Sequence, residues 1–206
     1  MKHKMINMLA LQDAMNSKIN PDWRQAGNEW YRAIWIECAE MLDHYGWKWW
    51  KHQQADLDQV ILEIVDIWHF MLSDMLEKTS DQEKLAETLA EQFSESAQAD
   101  DIRLAIESLA SKTLLSKSAE VPAFKEVMST VSLTLDDLYR GYIGKNVLNF
   151  FRQDHGYKDG TYQKVWGGRE DNEFLVESAA SLDVDSPSFQ DDLYSSLKSH
   201  YQRLCS

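Results

Sequence analysis

"DLDQVILEIVDIWHFMLSDML", Asp56 to Leu76, is apolar on nearly every face of a helix. Leu57, Val60, Ile61, Ile64, Val65, Trp68, Met71, Leu72 and Met75 leave few directions for water, so the stretch reads as a helix buried on most sides. Glu63 and Asp66 sit inside it, three residues apart. Positions i and i+3 share one helical face, so both carboxylates aim at one region. On a solvated face such a pair needs no explanation. Inside this helix it needs a counter-charge.

A second pair lies upstream, in "WIECAEMLDHYGWKWW", Trp35 to Trp50. Glu37 and Glu40 are again three apart, among Ala39, Met41 and Leu42, on a helix that should end at Gly46. Two such helices packed antiparallel would gather four carboxylates, Glu37, Glu40, Glu63 and Asp66. Like charges that close in an apolar setting are tolerable only when cations neutralise them. Ligands that are all oxygen suit Mg²⁺, with Mn²⁺ as the alternative. Trp35 reads as packing. Trp47, Trp49 and Trp50 follow the glycine and can wall a pocket beside the carboxylates, with Trp49 the nominee to face a ligand. His69, three after Asp66, evokes a di-iron bundle, but that site wants a second E-x-x-H and the Glu37 helix has none. His69 therefore reads as a buried or supporting histidine.

Glycine and proline parse the rest. No glycine lies between Gly46 and Gly141, Pro122 is the one proline in that span, and six of the eight glycines fall between Gly141 and Gly168. The fold class predicted is all-α, with an irregular segment in the last third. A first helix is expected over about 5–17. "NPDW", Asn20 to Trp23, reads as a helix start with Asn20 as cap and Pro21 in the first position. Residues 79–120 have an amphipathic helical pattern with no evident chemistry. With 206 residues and 44% hydrophobic content the chain can bury one sizeable core, and the expectation is one all-α domain over 1–206.

Net charge of −13 argues against coating nucleic acid. Cys38 and Cys205 make neither a metal spacing nor a disulfide framework, and read as free thiols in a reducing cytosol. The N-terminus reads as an amphipathic helix rather than a signal peptide, and no apolar run approaches the roughly 18 residues of a membrane span. A cytoplasmic protein with no membrane and no nucleic-acid partner is expected.

"GKNVLNFFRQDHGYKDGTYQKVWGGREDNEFL", Gly144 to Leu175, concentrates Lys145, Arg152, Lys158, Lys164 and Arg169 in this acidic chain, interleaved with Tyr157, Tyr162, Asn146 and Asn149. Arginine and lysine beside flexible backbone suit a polyphosphate, and asparagine amides suit a base or sugar.

These motifs together resemble a known family. E-x-x-E, a gap from Glu40 to Glu63, then E-x-x-D is similar to the all-α nucleoside triphosphate pyrophosphohydrolases. "ECAEMLDHYGWKWWK", "EIVDIWHFMLSD", "LQDAMN" and "KNVLNFFRQDHGYKDGTYQKVWGGREDN" resemble the dimeric dUTPases within that superfamily. The resemblance covers about the first 80 residues and 139–175, and leaves 79–131 as a variable helical cover. It implies a helical bundle with a mobile, loop-rich C-terminal nucleotide-binding segment, and a homodimer. It also implies that Glu37, Glu40, Glu63 and Asp66 hold Mg²⁺ and that dUTP, and dUDP with it, is hydrolysed to dUMP. Either Glu37 or Glu40 would activate the water. Gln12, Asn16 and Trp49 would surround uracil and deoxyribose, and Lys145, Asn149, Arg152, Tyr157, Lys158, Tyr162 and Lys164 would contact phosphate, sugar or base. A relative acting on another pyrimidine or a non-standard nucleotide is the nearest alternative, since fold and metals do not fix the base. A non-catalytic helical interaction module is a more distant one, because it leaves the carboxylates and cations as coincidences.

Overall fold

Residues Leu57–Lys78 form one helix, α3, started by Asp56, whose side chain accepts a hydrogen bond from Gln59 N at 3.2 Å. In this computed structural model, which describes residues 1–183, 186 and 188–205, twelve residues of that helix are buried, among them Ile64, Trp68, Leu72 and Leu76. It has the central position its composition demands. Trp68 alone ties three elements together: its ring stacks on Phe124 at 5.3 Å and meets Phe93 edge-on at 5.4 Å. Phe93 and Phe124 come from the cover helices, Gln82–Ser94 and Val121–Thr130, which with Ile102–Ser116 make up most of the segment 79–131.

Around this axis stand Lys2–Ile19 (α1) and Trp30–Tyr45 (α2), then the three cover helices as α4, α5 and α6, and Leu135–Asp154 (α7). A two-residue antiparallel hairpin pairs Val165–Trp166 with Arg169–Glu170, and leads into Asp171–Ala180 (α8) and Phe189–Leu204 (α9). The protein is all-α, as the sequence pattern predicted, and one contiguous core runs through buried residues from Met5 to Leu197.

Two local expectations give way. "NPDW" makes only a single 3-10 turn, Trp23–Gln25, with Asn20 Oδ1 accepting from Asp22 N at 3.1 Å. Gly27, at φ +65°, diverts the chain there, and α2 begins at Trp30. The irregular segment is also shorter than the glycines suggested. Gly141 and Gly144 lie inside α7, which runs to Asp154 from a capping box of Thr134 and Asp137. Gly141 is needed for contact rather than for a turn: a Cβ there would come within 2.8 Å of Val65 Cγ2 on α3. That close approach brings the polar residues of α7 alongside the carboxylates of α3. The non-helical stretch that follows α7 spans 155–170, and two of its aromatic residues pack inward: Tyr162 stacks on Tyr201 at 5.4 Å, and Trp166 lies 5.8 Å from Phe151.

Candidate active site

The pairing of α2 with α3 is antiparallel, as three contacts show. Trp30, at the start of α2, lies against Phe70 at 6.4 Å, whereas His44, near its end, sits beside the start of α3. His44 O accepts from Asp56 N at 3.0 Å, and His44 Nε2 lies 3.4 Å from Glu63 Oε1. In between, carboxylate oxygens of Glu37, Glu63 and Asp66 all come within 4.8 Å of one another. Glu40, the fourth predicted member, stands apart from that group: it is exposed, one turn along α2, on the wall of the same cavity. Its charge is still felt by both Glu37 and Glu63.

Crowding has its expected electrostatic consequence. Burial, then a hydrogen bond with Glu63, then the charge of Asp66 push Glu37 up to about 9. Burial raises Glu63 as well, against the hydrogen bond from Glu37 and the charge of Lys145, which pull it down. The two carboxyls thus titrate as a pair that keeps a proton well above the ordinary carboxylate range. The set consists of hard oxygen donors converging on one point, with more negative charge than it can carry unaided, and it fits a hard divalent cation.

Opposite the carboxylates, α7 contributes Lys145, 4% exposed, whose Nζ lies 2.8 Å from Asp66 Oδ2 and donates to Asn172 Oδ1 at 3.2 Å. These groups surround a cavity of about 1360 Å³, ample for a nucleotide. Its cationic wall carries Lys145, Asn149, Arg152, Tyr157 and Lys164. Its α1 side carries Gln12 and Asn16, both buried. A chain of hydrogen bonds orients those two amides. His69 Nδ1 bonds Gln12 Oε1 at 2.8 Å, Gln12 Nε2 donates to Asn16 Oδ1 at 3.0 Å, and Asn16 Nδ2 donates to Ser73 Oγ at 3.0 Å. His69 is enclosed and stacked on Tyr142 at 4.2 Å, and burial brings its pKa down to about 4, so the ring is neutral. With Nδ1–H donating to Gln12, its buried Nε2 is left an acceptor with no partner among the described residues.

A family model described as dUTPase matches residues 4–157 of the chain. The chain belongs to the dUTPase family. Its activity is that of a dUTP diphosphatase, hydrolysis of dUTP to dUMP and pyrophosphate, and a nucleotide is its substrate. No curated protein matches it. The match takes in every carboxylate of the cluster, most of α1 and all of α7, and stops short of the hairpin, α8 and α9.

Three of the dUTPase residues singled out from sequence lie off the cavity. Trp49 is 89% exposed and lines a separate depression with Trp47, Trp50 and Arg103, because the turn after Gly46 carries it away from α3. Lys158 donates to Ile19 O at 2.9 Å and is spent on the end of α1. Tyr162 turns inward, and its hydroxyl donates to Asp171 Oδ2 at 2.8 Å. Conversely, His44, Asp171 and Asn172 were not singled out. The "DN" in "GGREDN" was in plain view, but its partners are 19 and 27 residues away, and no local spacing announces them.

Proposed function

We propose that this dUTPase is Mg²⁺-dependent, with Mn²⁺ as a substitute, and that Glu37, Glu63 and Asp66 hold the cation. The observation that carries the reading is the convergence of those three carboxylates opposite Lys145 in one nucleotide-sized cavity. When bound, the cation supplies positive charge against the phosphate oxygens and acidifies the attacking water.

The chain's own residues divide the remaining work. Glu40 lies outside the three-carboxylate group yet on the same wall, free to take a proton from the water that attacks the α-phosphorus. The bond that breaks joins that phosphorus to the oxygen bridging it to the β-phosphate. Lys145 and Arg152 counter the charge of the phosphate chain, the α-phosphate included, with Lys164 on the same wall. Gln12 and Asn16, their amides fixed through His69 and Ser73, read the uracil and deoxyribose, while Asn149 and Tyr157 close the sugar side.

The reading extends to dUDP, which presents the same α–β bond. It also takes the chain as a single domain acting in the cytoplasm, where Cys38 and Cys205 stay free, with no nucleic-acid partner at net charge −13. The protein works as a homodimer, for which the exposed Trp47, Trp49 and Trp50 supply the aromatic surface that interfaces favour. The test is turnover of dUTP, dUDP, dCTP and dTTP with Mg²⁺, Mn²⁺ or chelator. Pyrophosphate released from dUTP well above dCTP and dTTP, and only with a divalent cation, supports the reading. Equal rates with chelator would sink the metal assignment.

A further inference from the structure

Arg152 and Asp171 form a bidentate pair inside the protein: Nε donates to Oδ2 and Nη2 to Oδ1, each at 2.8 Å. Asp171 is 0% exposed. A third donor, the Tyr162 hydroxyl, reaches Oδ2 at 2.8 Å, and the backbone N–H of Asp171 is fixed to Lys164 O at 3.0 Å. Tyr162 is itself held by its stack on Tyr201 of α9. A carboxylate this enclosed and this fully bonded is immobile, and so is the guanidinium it grips.

The grip uses one edge of the guanidinium only. The other edge carries Nη1, which donates weakly to Asn149 Oδ1 at 3.4 Å, and Asn149 and Arg152 both line the cavity. The Tyr157 ring lies 5.8 Å from the guanidinium carbon. Two edges of one planar group are therefore given different tasks, one to the protein and one to the cavity.

We infer that Asp171, supported by Tyr162, is a positioning residue that aims the free edge of Arg152 at the phosphates of the nucleotide. It never touches substrate. The inference rests on the proposed reading of Arg152 as a phosphate contact. It also gives the segment beyond residue 157, where the family match ends, a part in substrate binding: α8 supplies the carboxylate, and α9 supports the tyrosine that braces it.

The test is steady-state kinetics with Mg²⁺, alongside competitive inhibition by dUMP and by deoxyuridine, which lacks the phosphate. Arg152→Gln probes the premise. It should raise KM for dUTP about tenfold, the worth of a charge-assisted hydrogen bond. Asp171→Asn should raise KM by a similar factor with kcat within about threefold. It should weaken dUMP but not deoxyuridine, and add nothing further in an Arg152→Gln background. Equal weakening of both inhibitors, a full additional loss in the double variant, or unchanged kinetics of Asp171→Asn would overturn the positioning role while leaving Arg152 in place. Wild-type kinetics of Arg152→Gln would remove both. Should Asp171→Asn not fold, Tyr162→Phe loosens the same carboxylate without stranding a buried charge. It should raise KM about two- to threefold and have no effect in the Arg152→Gln background. A wild-type KM in Tyr162→Phe would then overturn the inference.

Discussion

Lys145 Nζ lies 2.8 Å from Asp66 Oδ2, so the carboxylate cluster carries an internal cation delivered by a different helix. The contact depends on Gly141 one turn earlier, which lets α7 approach α3. Lys145 both offsets the charge of the cluster and faces the space where phosphates would lie.

Removing that cation should hurt most when no metal is present. Lys145→Met leaves Asp66 without its partner, and breaking a buried pair costs about 3 kcal/mol. Thermal unfolding of this variant in chelator should shift down by several degrees, and Mg²⁺ should recover part of the loss. KM for dUTP should rise roughly tenfold with the lost phosphate contact. An equal drop in stability with and without Mg²⁺ would separate Lys145 from the metal group.

The proton kept by Glu37 and Glu63 makes a second prediction, in pH. Glu37 titrates at about 9 in the folded protein against an ordinary value of 4.5. Between those values the folded chain binds a proton that the unfolded chain has released, so stability falls as pH rises. The contribution is full below about 4.5 and lost by about 9, and Glu63, also raised, acts in the same direction. The carboxylates pulled the other way, such as Asp13 held down by Arg24, titrate below this window. In chelator the midpoint of unfolding should therefore decline from about pH 6 to about pH 8.5. Saturating Mg²⁺ should flatten the decline, since the cation replaces the proton. A metal-free midpoint that climbs over that range contradicts the retained proton.

Parts of this site are legible in the sequence, for a local reason. Glu37 with Glu40, and Glu63 with Asp66, are each one helical turn apart, so the 3.6-residue period alone put each pair on one face. The apolar surround of Glu63 then demanded a second helix. What the period does not encode is how far along its axis each helix meets the other. Glu40 consequently falls outside the group that Glu37 joins. The α7 side was legible only as composition: a run of cations and amides. Whether a given lysine or tyrosine turns to the cavity depends on partners distant in sequence, as with Lys158 on Ile19 O and Tyr162 on Asp171. Gly141 and Gly144 misled in the same way, since a glycine chosen for helix contact is indistinguishable in sequence from one chosen for a turn.

Glu40 and Glu63 should separate chemistry from metal binding. Glu40→Gln removes the proposed proton acceptor without touching the three converging carboxylates, so turnover should fall about 100-fold or more. Stabilisation by Mg²⁺ should persist in that variant. Glu63→Gln should lose both. Thermal shift with Mg²⁺ and release of pyrophosphate are the two readouts. A Glu40→Gln enzyme that turns over normally removes Glu40 from the chemistry. One that is inactive and also blind to Mg²⁺ makes it a ligand.

Trp49 poses the last question, because its family resemblance and its position disagree. It is 89% exposed and stands outside the walls of its own chain's cavity, so a nucleotide contact would require the cavity of a second copy. The ring lies 5.3 Å from Trp50, which in turn lies 5.2 Å from Trp47. This aromatic cluster is too exposed to stabilise the monomer, so Trp49→Ala should leave the subunit fold intact. If Trp49 stacks on uracil across a homodimer, the variant should raise KM by roughly tenfold or more, the usual worth of base–aromatic stacking. Mixing it with inactive Glu40→Gln then gives a sharper result. In a mixed dimer the cavity with Glu40 intact receives Trp49 from the other subunit, so one of its two sites is whole. At low dUTP, mixing equal amounts and allowing subunits to exchange should restore about a quarter of wild-type activity. If Trp49 served its own subunit, or if the protein were a monomer, no whole site would form and mixing would restore nothing.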